Sequence, residues 1–190
     1  MGMQDQVAAA FGGFNQIEFH KLKGFHVKPL PLSDQKKNAL KDHLMLFFTG
    51  FQRNASDIAK SKIENIPAKQ DELHRLKDLV DEAVDILNKP VKFIDEFGKL
   101  LHQSWLLKRQ LSDKVSNEKI DEYYDVARKA GAIGGKLCGA GGGGFLLLYV
   151  PPQKQKAVKT ALKELLHVPF DFESQGSQII MYSPDIIRKD

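Results

Sequence analysis

A single cysteine, Cys138, stands in 190 residues, which excludes an internal disulfide framework and fits a reducing cytoplasm. Long apolar runs are also missing. The two longest, 44–51 and 145–150, are far too short to cross a bilayer, and the opening residues carry no signal-peptide pattern. The six histidines, His20, His26, His43, His74, His102 and His167, never fall at metal-ligand spacing such as i, i+4, so no zinc site is expected. No excess of one charge dominates: 28 Lys and Arg against 24 Asp and Glu give +4, and the basic residues alternate with acidic ones along the helical segments. That pattern describes a solvated surface, whereas a nucleic-acid footprint gathers its cations on one face. A composition that is 42% hydrophobic and 27% charged is ordinary for a globular chain with one sizeable core or two small ones.

What the chain has in abundance is glycine in one place. Gly134-Gly135-Lys136-Leu137-Cys138-Gly139-Ala140-Gly141-Gly142-Gly143-Gly144 holds seven glycines in eleven positions and runs straight into the apolar strand pattern Phe145 to Val150. Each glycine loses more backbone entropy on folding than any other residue, so such a cluster persists where the chain needs positive φ or where something approaches the bare backbone, most often a phosphate. The alternative is a close-packed strand entry with no ligand. Gly139, Gly141 and Gly144 satisfy G-x-G-x-x-G formally, but the dinucleotide fingerprint needs a strand before and a helix after, and here the order is reversed. The P-loop pattern fails as well: Leu137 follows Gly135-Lys136, and Ala130 occupies the position of the first glycine.

Periodicity places the elements. Phe14 to Phe19 alternates as a half-buried strand, Val27 to Leu32 ends with two prolines, and Leu44 to Phe48 reads as a buried strand. Ser33 as N-cap and Asp34 in the first turn open a short helix between them. A second helix is expected from Asn54 to about Ile66, stopped by Pro67. Leu73, Leu76, Val80, Val84 and Leu87 mark a third, and Phe93, Phe97, Leu101 and Trp105 a fourth, with Trp105 in the core. Leu111 to Asn117 reads as a polar connection, and Ile120 to Ala130 as a helix closed by Gly131. Ala157 to Leu165 marks the last long helix, followed by two short strands near Pro169 to Glu173 and Gln178 to Tyr182. The order predicts an α+β fold, a small and mostly antiparallel sheet packed against helices on one face.

The opening is odd for a freestanding domain: Gly2-Met3-Gln4-Asp5-Gln6-Val7-Ala8-Ala9-Ala10-Phe11-Gly12-Gly13-Phe14-Asn15. This block resembles the kinases that phosphorylate D-glycero-D-manno-heptose phosphates, within the superfamily of galactokinase, homoserine kinase, mevalonate kinase and phosphomevalonate kinase. Leu46 to Gly50 with Arg53 to Asp57, Leu101 to Lys108, and Ala130 to Gly144 agree with it, so the resemblance covers essentially the whole chain.

The resemblance implies a ferredoxin-like C-terminal kinase domain over 31–190, with 1–30 the remnant of an N-terminal domain. It implies that Asp5 stands at the acceptor hydroxyl as general base or electrostatic partner. It puts Gly139, Ala140, Gly141, Gly142 and Gly143 against nucleotide phosphates, Arg53 against an anionic substrate, and Gly12, Gly13 and Asn15 in the sugar pocket. The implied cofactors are ATP and Mg²⁺, held mostly by two upstream motifs that do not occur here, one with a basic residue and one a glycine- and serine-rich loop. Met1 directly before the block suggests a truncated frame, and Met3 stands where many relatives carry lysine. The expected partners are a sugar phosphate and ATP in the cytoplasm, with no nucleic acid or membrane, and a homodimer left open. A second reading is a non-catalytic module that binds a sugar phosphate or another subunit. Neither the heptose hydroxyl nor the choice between heptose and a related fucose or galactose is legible.

Overall fold

A computed structural model describes residues 3–21, 24–51 and 55–182. The chain divides into two compact units: Leu32–Asp171, and a smaller one made of the described residues before Leu32 and after Asp171.

The larger unit begins with α2 (Asp34–Asp42), in which the Ser33 side chain accepts from the Lys36 N–H as an N-cap must. Strand β3 (Leu44–Phe48) follows. Four helices come next: α3 (Ala55–Asn65), α4 (Gln70–Asn88), α5 (Asp95–Gln110) and α6 (Glu118–Ala130). The Asn117 side chain accepts from the Ile120 N–H at the start of α6, and Gly131 closes that helix in the left-handed conformation at φ 118°. The chain then runs through β4 (Gly134–Leu137), β5 (Phe145–Tyr149), α7 (Gln155–Ala161) and β6 (Leu166–Val168). Every strand pair is antiparallel and the order is β4-β5-β3-β6. Counting the helical block as one crossover, this is β-α-β-β-α-β with the first strand in the interior, a ferredoxin-like arrangement. The α+β fold is therefore as expected.

Alternation decides which strand residues reach the core. Met45, Phe47, Leu146, Leu148 and Leu137 are buried and join Trp105, Val115, Ile120, Tyr124 and Val158 in one cluster. Of the alternate set, Phe48 faces Phe145 across the ladder with ring centroids 5.3 Å apart, and Phe145 stays 40% exposed. A satellite cluster of Leu79, Ile86 and Leu100 holds α4 to α5.

Several expectations are corrected. Gly134 to Leu137 is not loop but strand β4, paired with β5 from Gly134↔Tyr149 to Leu137↔Leu146. Its first glycine admits α5: a Cβ on Gly134 would land on the Gly98 carbonyl, and a Cβ on Gly98 would land in the Tyr149 ring. The last long helix is only the seven residues of α7, and the segments 169–173 and 178–182 form no strand; the pairing falls to β6 just before them. In α4 the buried stripe is Leu79, Ile86 and Leu87, while Val80 is 46% exposed, and Phe93 lies outside α5 in a short 3-10 turn. The connection 111–117 is partly core, with Leu111, Ser112 and Val115 buried.

The smaller unit holds a helix that periodicity did not reveal, α1 (Gln4–Phe11), and the hairpin β1 (Asn15–His20) with β2 (Gly24–Pro29). Backbone bonds from Gly13 to Glu173 (3.0 Å) and from Ser177 to Ala10 (3.1 Å) tie the returning segment to the end of α1. Phe14 meets Phe172 edge-on at 4.8 Å.

Candidate active site

The glycine loop leaves β4 and returns through β5, tethered at both ends. The Cys138 N–H donates to Phe145 O (2.8 Å), and Gly144 O accepts from both the N–H and the hydroxyl of Thr49, each at 2.9 Å. Inside the loop, Gly142 N–H donates to Val115 O (2.8 Å) and Gly144 N–H to Phe51 O (3.0 Å). Gly143 is required by approach: a Cβ there would collide with the Phe51 backbone. Gly139 is required by conformation, with φ 69° and open space where a Cβ would go.

Two lysines that sequence reading passed over hold the carbonyl side of this loop. From α5, Lys108 Nζ donates to Leu137 O (3.0 Å) and Gly139 O (2.8 Å). From α3, Lys62 Nζ donates to Ala140 O (3.1 Å), and burial lowers its pKa from the ordinary lysine value. With the carbonyls so engaged, the N–H groups of Gly139, Ala140, Gly141 and Gly143 have no acceptor among the described residues. Three successive amides, with a fourth two residues on, are thus left to donate beside two ammonium groups, an arrangement of the kind that complements an anion. The sole thiol nearby is not a reactive one, because burial pushes the Cys138 pKa up against the opposing charges of Lys136 and Lys108. A lysine on a helix reads in sequence as a solvated charge; only the i, i+3 placement of Lys108 after the buried Trp105 hinted that its stem runs along the core.

The remaining candidates fall elsewhere. Asp5 lies in the first turn of α1 with an exposed side chain, in the smaller unit. Gly12, Gly13 and Asn15 do come together, around the end of that helix: Asn15 Nδ2 donates to Gly12 O (2.6 Å) and the Gly13 N–H to Glu173 O. A Cβ on Gly12 would strike the backbone of Gln175 and Gly176. Arg53 lies outside the described residues.

The loop itself presents N–H donors, which complement phosphate oxygens and offer no ligand to a cation. Among the described residues no group of three or more His, Cys, Asp or Glu side chains gathers to hold one. No helix among them is long and apolar enough to cross a membrane.

Residues 83–168, which carry α5, α6 and the whole loop, match the family described as GHMP kinases C terminal. This stretch is a GHMP kinase C-terminal domain. Over 180 residues, 92% of this chain, the sequence is 35% identical to D-glycero-alpha-D-manno-heptose 7-phosphate kinase of Campylobacter jejuni, of which it spans 52%. It is 29% identical over 180 residues, 90% of the chain, to a bifunctional fucokinase/GDP-fucose pyrophosphorylase of Arabidopsis thaliana, spanning 16% of that protein. A solved D-glycero-D-manno-heptose 1-phosphate kinase from Bacteriodes thetaiotaomicron superposes with a TM-score of 0.63 at 27% identity, covering 96% of this chain and 50% of that one. The chain thus spans about half the length of these two heptose phosphate kinases.

Proposed function

We propose that this GHMP kinase chain is the part of an ATP-dependent sugar-phosphate kinase that carries the acceptor-side carboxylate and one phosphate-facing loop, with a heptose phosphate as substrate. The observation that carries the reading is the polarity of the glycine loop, whose carbonyls are held by Lys108 and Lys62 while four N–H groups are left to donate. ATP supplies the phosphoryl group that is transferred. The N–H groups of Gly139, Ala140, Gly141 and Gly143 bind phosphate oxygens, with Gly142 keeping the loop in shape through its bond to Val115. Asp5 accepts a hydrogen bond from the sugar hydroxyl, orients its oxygen and takes the proton as that oxygen attacks the γ-phosphorus, whose bond to the β-phosphate oxygen breaks to release ADP. Asn15 Oδ1 accepts a second hydroxyl, and Arg53 meets the phosphate already on the sugar. No step here is routed through Mg²⁺, because no cluster of three or more ligating side chains gathers among the described residues.

Calorimetric titration tests this. The 190-residue chain, titrated separately with ATP and with D-glycero-D-manno-heptose 7-phosphate, binds both, ATP the more weakly because most of its expected contacts belong to motifs that do not occur here, and Asp5→Asn weakens the sugar phosphate while leaving ATP unchanged. Absence of heat with both ligands, or an Asp5→Asn variant that binds the sugar phosphate as tightly as the parent, refutes the assignment.

A further inference from the structure

We infer that a cleft on the far side of β4 from the glycine loop is a second oxyanion site, which takes the phosphate group of a small organic phosphate. The cleft has a volume of about 630 Å³ and lies where α6 turns into β4, between that turn and α5. Lys99, His102 and Gln103 line it at i, i+3 and i+4 on α5, so they share one helix face. Arg128 and Lys129 line it from the last turn of α6, with Ile133 as an apolar wall. No carboxylate is among the lining residues, and Lys99, Gln103 and Lys129 have no hydrogen-bond or ion-pair partner among the described residues.

Each polar side chain that lines the cleft carries at least one donor nitrogen, and Gln103 adds an acceptor oxygen. Arg128 commits one guanidinium nitrogen to Ala132 O (2.6 Å) and keeps its other N–H groups. His102 Nδ1 lies 2.7 Å from the Tyr124 hydroxyl. Burial pushes the Tyr124 phenol up to about 12, so it stays neutral beside Nδ1 and the other ring nitrogen, Nε2, is left for a ligand. The backbone N–H groups of Gly131, Ala132 and Ile133 are already used within the fold. Cations in the last turn of a helix are ordinary complements to its dipole, which accounts for Arg128 and Lys129. It does not account for Lys99, one turn into α5, where the dipole opposes a cation. The four residues of β4 separate the cleft from the glycine loop by roughly 13 Å, at about 3.3 Å per residue, so one phosphate does not reach both. A volume in the range of small-molecule clefts admits the organic part of a phosphomonoester as well as its phosphate.

The test is a nuclear magnetic resonance titration of the ¹⁵N-labelled 190-residue chain at constant ionic strength, observing the His102 imidazole. The probes are inorganic phosphate, ribose 5-phosphate and sodium chloride. The expected result is a saturable His102 shift with ribose 5-phosphate and none with chloride. In the Lys99→Gln/Lys129→Gln variant, whose two substitutions are at exposed positions, the affinity falls on the order of tenfold or more, and a Lys156→Gln control matches the parent. A His102 resonance that stays still, follows chloride equally or saturates with the same affinity in the double variant overturns the site. Saturation by inorganic phosphate alone overturns the organic-phosphate assignment.

Discussion

Removing the ammonium of Lys108 disconnects α5 from the glycine loop, and Lys108→Met does so with little change in stem volume. The bonds of the parent to the loop include two charge-assisted ones, at 3.0 Å to Leu137 O and 2.8 Å to Gly139 O. Hydrogen bonds to charged groups contribute roughly 1.5–3 kcal/mol each in buried settings, but one of these two is exposed, where solvent screens it. The expected net loss is therefore about 2 kcal/mol, or a midpoint lowered by ~4–8 °C in a chain of this size. The loss is local before it is global. Leu137 O and Gly139 O bracket Cys138, whose N–H donates to Phe145, so freeing them loosens the loop entrance and then the Gly142 and Gly144 amides beyond it. Hydrogen exchange read by mass spectrometry on the peptide 138–145, together with a thermal melt, checks both. A variant that melts within a degree of the parent and protects 138–145 equally refutes the view that this lysine holds the loop in shape.

The loop's glycines separate by mechanism: Gly139→Asn, at a positive φ that asparagine tolerates and with open space for the side chain, is expected to cost under about 1 kcal/mol in urea denaturation. Gly143→Ala, driven into the Phe51 backbone, is expected to cost about 2 kcal/mol or more by the same measurement. Trp105 is fully buried with an indole N–H that has no partner among the described residues, so Trp105→Phe relieves an unsatisfied donor while losing volume and shifts stability by less than about 1.5 kcal/mol, against ~3–5 kcal/mol for Trp105→Ala. Burial, reinforced by the charge of Arg128, lowers the pKa of His102, and burial with Lys159 lowers that of His167. In the unfolded chain both bind protons first as pH falls through about 6.5, so the melting temperature rises with pH from 5.5 to 7.5, and His102→Gln flattens that slope; a slope unchanged in the variant refutes the attribution.

The elements legible in the sequence are those whose local signals and tertiary roles agree. Ser33 caps α2, Asn117 caps α6 and Gly131 ends it; Leu44 to Phe48 forms a strand because alternate residues of an apolar run enter the core. The misread elements are those in which a tertiary demand overrides the local signal. Gly134 and Gly135 have poor strand propensity, yet they lie in β4 because a Cβ on Gly134 would land on the Gly98 carbonyl of α5 and one on Gly135 would land on the Leu147 carbonyl of β5. The apolar run 179–182 promises a strand, yet it pairs with nothing among the described residues and its side chains stay more than 80% exposed. Lys62 and Lys108 were invisible as loop supports for a related reason. A lysine's partner is a carbonyl dozens of residues away, and carbonyls leave no trace in a sequence.

The density of glycine therefore reflects packing and turns within the fold as much as any ligand. Gly134 serves a helix crossing, Gly143 serves the approach of the loop to Phe51, and the amides of Gly142 and Gly144 are spent inside the fold. What remains for a ligand is a shorter set, the N–H groups of Gly139, Ala140, Gly141 and Gly143. One of the four belongs to an alanine, which shows that donation by itself makes no demand for glycine; the demand comes from φ at Gly139 and from packing at Gly143. A glycine run before a strand is thus better read as a backbone forced close to its own protein, from which a phosphate site follows only where the carbonyls are held elsewhere and the amides are left over.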